Sequence, residues 1–406
     1  MRRRTSRDTT TGGKSVLGSS AARRTRPEGR QWRPHFGSSR SVASRRALVP
    51  LLATAIGLAP AVTAHATEST AIGRTGTIGP DQSVTVDARD GTTLHGSLRL
   101  PENPDRPGPA ALLIPGSGPT DRDGNQPGLE ANTLLSVADT LSGSGVATLR
   151  YDKFGSGETG ADPDLDPASL EFDLFVEHAA DALGFLADQP GVDPDRLMVV
   201  GHSEGGLIAL VLANGQEETA PSVSSLALLA PASLPYLTTI QLQLREQIPE
   251  WPGRGLIPES RVEPLLDALD DTVEAIRETG EIPPWMPAEF YYLGIFHPSS
   301  LRFLVTADHH DPRELAGEVP AEVPVLLACA GSDIQVPCSM VDEVRSALDD
   351  RPAGTLRYTR LPQVNHVLKE VGSNGSDGSE YGDPLPFSRR LRAELSVFSL
   401  RHLWLG

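Results

Sequence analysis

Residues 196–213 constrain this chain more than any other stretch. The apolar run Leu197-Met198-Val199-Val200, too short for a helix, leads straight into Gly201-His202-Ser203-Glu204-Gly205, and a second apolar run of helical composition extends from Leu207 to Ala213. The order is strand, tight turn, helix. A serine held on such a turn at the carboxyl end of a strand needs glycine two residues to either side, because side chains there would collide with neighbouring backbone. The turn also leaves the Glu204 amide at the amino end of the helix, where unpaired N–H groups and the helix dipole favour a developing oxyanion.

A serine hydroxyl is a poor nucleophile until an imidazole accepts its proton, and a carboxylate must orient that imidazole and stabilise its protonated form. Both partners occur downstream. Ala330-Gly331-Ser332-Asp333 ends an apolar strand, and Val364-Asn365-His366 follows the last strand. The chain order Ser203, Asp333, His366 is the one in which a serine on a strand-to-helix elbow finds its acid and base. The second oxyanion donor is expected in the loop after the strand ending at Ile114, where Gly116 and Gly118 let backbone approach the scissile group, which makes the Ser117 N–H the candidate beside that of Glu204. Asp121, Arg122 and Asp123 in the same loop either brace it through an ion pair or read a polar substrate group.

Other residues fit these roles less well. His202 flanks the serine, and its side chain is expected to point away from the hydroxyl. His309 and His310 fall in or near an inserted segment, His402 lies in the final helix, and Asp342 and Glu343 sit on a helix where capping or solvation explains them. Asp308-His309-His310-Asp311 has the residue types of a metal site, but four consecutive residues rarely converge on one ion. No metal or cofactor is expected.

Strand and helix signals alternate through the chain. Ser83 to Ala88 and Thr93 to Leu100 flank Asp90-Gly91 as an antiparallel hairpin at a sheet edge. Pro109 to Ile114, Val146 to Asp152 and Ser225 to Ala230 read as buried strands, with helices from Asn132 to Leu141 and along the stripe Phe172, Phe175, Val176, Ala179, Leu183, Leu186. This alternation implies a mostly parallel sheet with right-handed crossovers. It stops at Pro231 and resumes at Val323. The intervening residues read as helical and contain Trp285, Met286, Phe290, Tyr291, Tyr292, Ile295 and Phe296. An insertion there would cover the carboxyl ends of the strands, so Trp285, Phe290 and Tyr291 are expected to line an acyl pocket, or else to form the insertion's own core. A strand from Thr355 to Leu361, a flexible Gly/Ser/Asn segment from Gly372 to Gly382 and a helix from Arg389 to Leu403 complete the chain.

The formal charge of −17 conceals an asymmetry. Residues 1–66 hold 13 Lys and Arg against 2 Asp and Glu, which leaves 23 basic and 51 acidic residues, or −28, for the remainder. Such a body argues against nucleic acid or an anionic membrane surface as partner. The basic segment reads as a targeting sequence: Ser44-Arg45-Arg46, an apolar run from Ala47 to Thr63, then the small-x-small site Ala64-His65-Ala66. Pro50, Gly57 and Pro60 interrupt the run, so no stable membrane span is expected once it is cleaved. The paired arginines fit twin-arginine export as well as Sec export, and a start near Val42 is compatible with the same signal. Cys329 and Cys338, the only cysteines, can be joined in an exported protein or stand as separate thiols.

From about Ser83 to Leu405 the chain resembles the α/β-hydrolase superfamily, specifically esterases grouped with the serine-aminopeptidase-like and prolyl-oligopeptidase-like hydrolases. The resemblance rests on Pro-Gly-Ser-Gly-Pro-Thr-Asp-Arg-Asp-Gly-Asn at 115–125, Arg150-Tyr151-Asp152-Lys153, Gly-His-Ser-Glu-Gly-Gly at 201–206, Gly-Ser-Asp-Ile-Gln-Val-Pro at 331–337, and Asn365-His366. It implies an eight-stranded mostly parallel sheet flanked by helices, with a helical cap after the sixth strand, and Ser203, Asp333 and His366 as nucleophile, acid and base. Phe154 stands where such proteins place arginine or a small residue, and the cap matches no pattern of the family. The expected division is a targeting segment at 1–66, a hydrolase core at 67–232 and 323–406, and a cap at 233–322. The expected function is a secreted serine hydrolase, without cofactor, acting on small or medium carboxylic esters. An amidase or exopeptidase using the same triad, and a non-catalytic binding protein on the same fold, are the alternatives.

Overall fold

Every residue of Gly108–Ile114 is buried, which a strand achieves only in the middle of a sheet covered on both faces. Successive side chains of a strand point to opposite faces. Accordingly Ala110, Leu112 and Ile114 enter one core, and Ala111 and Leu113 enter another. The computed structural model describes residues 77–102 and 106–405. The expected targeting segment, with Ser44-Arg45-Arg46 and Ala64-His65-Ala66, lies outside them.

The edge hairpin consists of β1 (Gln82–Asp87) and β2 (Thr93–Arg99), paired antiparallel. Six further strands follow: β3 (Gly108–Ile114), β4 (Ala147–Tyr151), β5 (Val192–His202), β6 (Ser225–Leu229), β7 (Val325–Ala330) and β8 (Leu356–Leu361). The sheet order is β1-β2-β4-β3-β5-β6-β7-β8. β2 runs antiparallel to β4, and the strands from β4 to β8 are mutually parallel.

Helices α1 (Thr133–Ser142), α2 (Asp173–Ala187) and α3 (Glu204–Ala213) connect the first strands. Between β6 and β7 lie α4 (Tyr236–Gln247), α5 (Val262–Thr279), α6 (Ala288–Tyr292), α7 (Pro298–Asp308) and α8 (Pro312–Glu318). The chain closes with α9 (Cys338–Ala347) and α10 (Arg389–Ser399). One face of the sheet packs on α2, α3 and α9, and the other on α1 and α10. Every residue of α3 is buried, as expected of a helix apolar on all sides. The inserted helices join the first core. Phe303 of α7 packs edge-on against Phe175 and Tyr236, with ring centroids 5.6 Å apart in both pairs.

Of two loop features, one resolves an open alternative and the other differs from expectation. Cys329 and Cys338 form a disulfide, with their Cα atoms 5.3 Å apart. The segment 372–382 reads as flexible by composition, yet Glu380 ties it down by accepting from Asn365 Nδ2 at 2.9 Å and from Ser376 Oγ at 2.5 Å. Tyr381 is buried as a result.

Candidate active site

The turn at Ser203 is strained. Its φ of 55° and ψ of −121° lie where non-glycine residues rarely sit, between the end of β5 and the start of α3. The conformation is held from both sides: Ser203 N donates to Leu229 O at 3.1 Å, and Ala232 N donates to Ser203 O at 2.9 Å. The flanking glycines are required by close approach. A Cβ on Gly201 would lie 2.1 Å from Gly205 O, and one on Gly205 would lie 2.3 Å from Ile114 O.

Ser203, His366 and Asp333 meet at the carboxyl ends of β5, β7 and β8. His366 Nε2 is 3.1 Å from Ser203 Oγ, and His366 Nδ1 is 2.7 Å from Asp333 Oδ2. All three residues are buried. Asp333 Oδ1 accepts from the amides of Gln335 at 2.8 Å and Val336 at 2.9 Å, which leaves Oδ2 for the imidazole. With a carboxylate on Nδ1, that nitrogen carries the proton and Nε2 is free to accept one from the serine. The loops bearing the acid and the base are joined, since Ser332 N donates to Val364 O at 2.8 Å. Asn365 stiffens the histidine loop by accepting from Lys369 N at 2.9 Å. Positive φ at Gln363 and Leu368, on either side of His366, adds to the local strain.

His202 does not point away from the site, as its position in the sequence suggests. It lines the same cavity as Ser203 and His366, and its Nε2 donates to His366 O at 2.9 Å. Burial, with nearby His366 second, holds its imidazole down to about 3. Below 6.5 the unfolded chain therefore takes up a proton at this residue that the folded chain refuses until about 3, so the stability it contributes is complete above 6.5 and is lost as pH falls through that window. His202→Gln is expected to narrow the difference in urea midpoint between pH 7 and about pH 4.5; an unchanged difference would mean that His202 titrates normally.

The cavity is walled by the loop after β3 (Gly116, Ser117, Thr120, Gln126), by Gln335, and by Val367 and Tyr381. Ser117, the expected oxyanion donor, lines the same cavity as Ser203, and Glu204 begins α3. Gln126 Nε2 donates to Ser117 O at 2.8 Å and braces the loop from within. Arg122 braces it from below through a bidentate pair with Asp152, at 2.5 Å and 3.0 Å, rather than facing the cavity.

The inserted aromatics do not reach this cavity. Phe290 is 0% exposed and packs edge-on against Phe296 inside the insertion, whereas Trp285 and Tyr291 are 54% and 42% exposed. Apolar composition does not distinguish a pocket wall from an internal core, and here Phe290 belongs to the core. Gln126, Gln335 and Tyr381 were not among the expected site residues. A single tyrosine within the polar stretch after His366 was the only signal for Tyr381. The run Asp308 to Asp311 is dispersed: Asp308 binds Arg277, His310 faces Asp173, and Asp311 caps α8 through Arg313 N at 2.9 Å. Among the described residues no group of acidic, His or Cys side chains is arranged to hold a metal ion, and no helix is long and apolar enough to cross a membrane.

Residues 128–276 match the family described as "Serine aminopeptidase, S33". Esterase EstD of Thermotoga maritima is 27% identical over 250 residues, covering 60% of this chain and 50% of its own length. Polyketide transferase af380 of Aspergillus fumigatus is 34% identical over 93 residues, covering 22% of this chain and 30% of its own. The chain thus spans half or less of the length of these relatives. Among solved structures, a Pyrococcus furiosus esterase overlays with a TM-score of 0.49 at 13% identity, covering 80% of this chain and 92% of that one. Est1E from Butyrivibrio proteoclasticus gives 0.48 at 17%, covering 79% and 98%.

Proposed function

We propose that this chain, an α/β-hydrolase, cleaves carboxylic esters of small or medium size through an acyl-enzyme on Ser203. The observation that carries the reading is the continuous line from Asp333 Oδ2 through His366 to Ser203 Oγ, with steps of 2.7 Å and 3.1 Å. In the proposed reaction Ser203 Oγ attacks the ester carbonyl carbon while His366 Nε2 takes its proton. The amides of Ser117 and Glu204 bind the resulting oxyanion. Collapse breaks the acyl–oxygen bond, and His366 returns the proton to the departing alcohol. Water then repeats the cycle, with His366 as base, and releases the acid.

Ester rather than amine-bearing peptide substrates are favoured by the wall chemistry. An aminopeptidase that reads its substrate's cationic free amine is best served by a facing carboxylate, and the described residues lining the cavity include no Asp or Glu. The second reading, an amidase or exopeptidase, draws on the family match at 128–276. A panel of p-nitrophenyl esters and aminoacyl-p-nitroanilides separates the two. The expected result is ester kcat/KM above that for every anilide; anilides exceeding esters would decide for the exopeptidase. Export belongs to the same proposal, supported by the basic and apolar sequence before Ala66 and by a disulfide of the kind that persists in oxidising compartments.

A further inference from the structure

Lys153, from the Arg150-Tyr151-Asp152-Lys153 motif, is 3% exposed and reaches Glu204, the residue after Ser203. Its ammonium has three protons. One goes to Gly116 O at 2.8 Å, one to Glu204 Oε1 at 2.7 Å, and the Phe175 ring lies 5.1 Å away on the remaining side. The other Glu204 oxygen, Oε2, accepts from Tyr236 OH at 2.6 Å. Burial, reinforced by the Glu204 carboxylate, pushes the Tyr236 phenol well above its ordinary value, so it stays protonated as the donor. Neither Lys153 nor the Glu204 side chain lines the substrate cavity.

The two acceptors of this ammonium are the residues that control the oxyanion donors. Gly116 C=O and Ser117 N–H belong to one planar peptide and point in opposite directions, so fixing the carbonyl fixes the N–H. A cation on the carbonyl also polarises that peptide and strengthens its N–H as a donor. Glu204 supplies the second N–H from its own backbone. A buried ion pair generally gains no stability over apolar side chains of the same volume, so structural support alone explains this arrangement poorly. We propose that Lys153 is a positioning residue that holds the Ser117 and Glu204 amides at a fixed mutual distance and orientation for the oxyanion. The proposal rests on the reading of Ser203 as nucleophile.

Two variants test it: Lys153→Met, and Lys153→Met with Glu204→Gln, which removes both charges and leaves Tyr236 a partner. The readouts are p-nitrophenyl acetate kinetics and inhibition by an alkyl trifluoromethyl ketone, which forms a tetrahedral oxyanion adduct. In folded variants kcat is expected to fall about 10- to 100-fold, somewhat less than the loss of an oxyanion donor itself, with KM within about threefold and ketone affinity reduced by the same factor as kcat. A folded variant that keeps kcat within about threefold, or raises KM alone, overturns the proposal. Failure of both variants to fold also overturns it, by making Lys153 a structural pillar. Wild-type protein that neither hydrolyses the ester nor binds the ketone would instead overturn the hydrolase reading.

Discussion

Ser203→Ala is expected to abolish ester hydrolysis, with kcat falling by at least about 10⁴-fold, because among the described residues Ser203 Oγ is the hydroxyl that His366 Nε2 meets, at 3.1 Å. The replacement should not disturb the fold. Among the described residues the Ser203 hydroxyl makes one hydrogen bond, to the imidazole, and the elbow is held through its backbone by Leu229 and Ala232. Residual turnover above the uncatalysed rate would come from the oxyanion amides alone. Comparison of kcat for the folded variant and the wild type on one p-nitrophenyl ester checks this, and retention of kcat within tenfold, a factor of about 1.4 kcal/mol in the barrier, would rule out Ser203 as nucleophile.

Asp333→Asn carries the second large effect, and its direction follows from the amides of Gln335 and Val336. Both donate to Oδ1, so an asparagine must place its carbonyl oxygen there and turn its NH₂ toward His366 Nδ1. The imidazole is then driven to the tautomer protonated on Nε2, which cannot accept the serine proton. The expected loss is about 10⁴-fold in kcat, with the thermal midpoint little changed because all hydrogen bonds at the site can still form. A loss of tenfold or less would mean that Asp333 does not fix the tautomer.

Much of this was legible in the chain itself, for physical reasons that differ by element. β3 and β7 are buried on both faces, so their sequences are unbroken apolar runs with no solvent-facing residue to interrupt them. The elbow announces itself because only glycine fits at 201 and 205. Asp333 and His366 follow from the topology, since consecutive parallel strands deliver their carboxyl ends to one edge of the sheet. The rest of the cavity wall was not legible, because Gln126 and Tyr381 reach the cavity through loops whose paths depend on hydrogen bonds far apart in sequence, such as Asn365 to Glu380. Between the two roles left open for the inserted aromatics, pocket wall and internal core, composition could not choose; Phe290 and Phe296 satisfy each other in the core. Glu204 was legible as an amide but not as one half of a buried pair, because nothing local to either residue marks Lys153, fifty-one positions earlier, as its partner.

Reaction with a fluorophosphonate, followed by digestion and mass mapping of the adduct, tests the central claim most directly, because the reagent phosphonylates only a serine whose proton a neighbouring base removes. The account predicts one adduct per chain, on the peptide containing Ser203, and none in His366→Ala. An unmodified protein, or an adduct on any other residue, would contradict it.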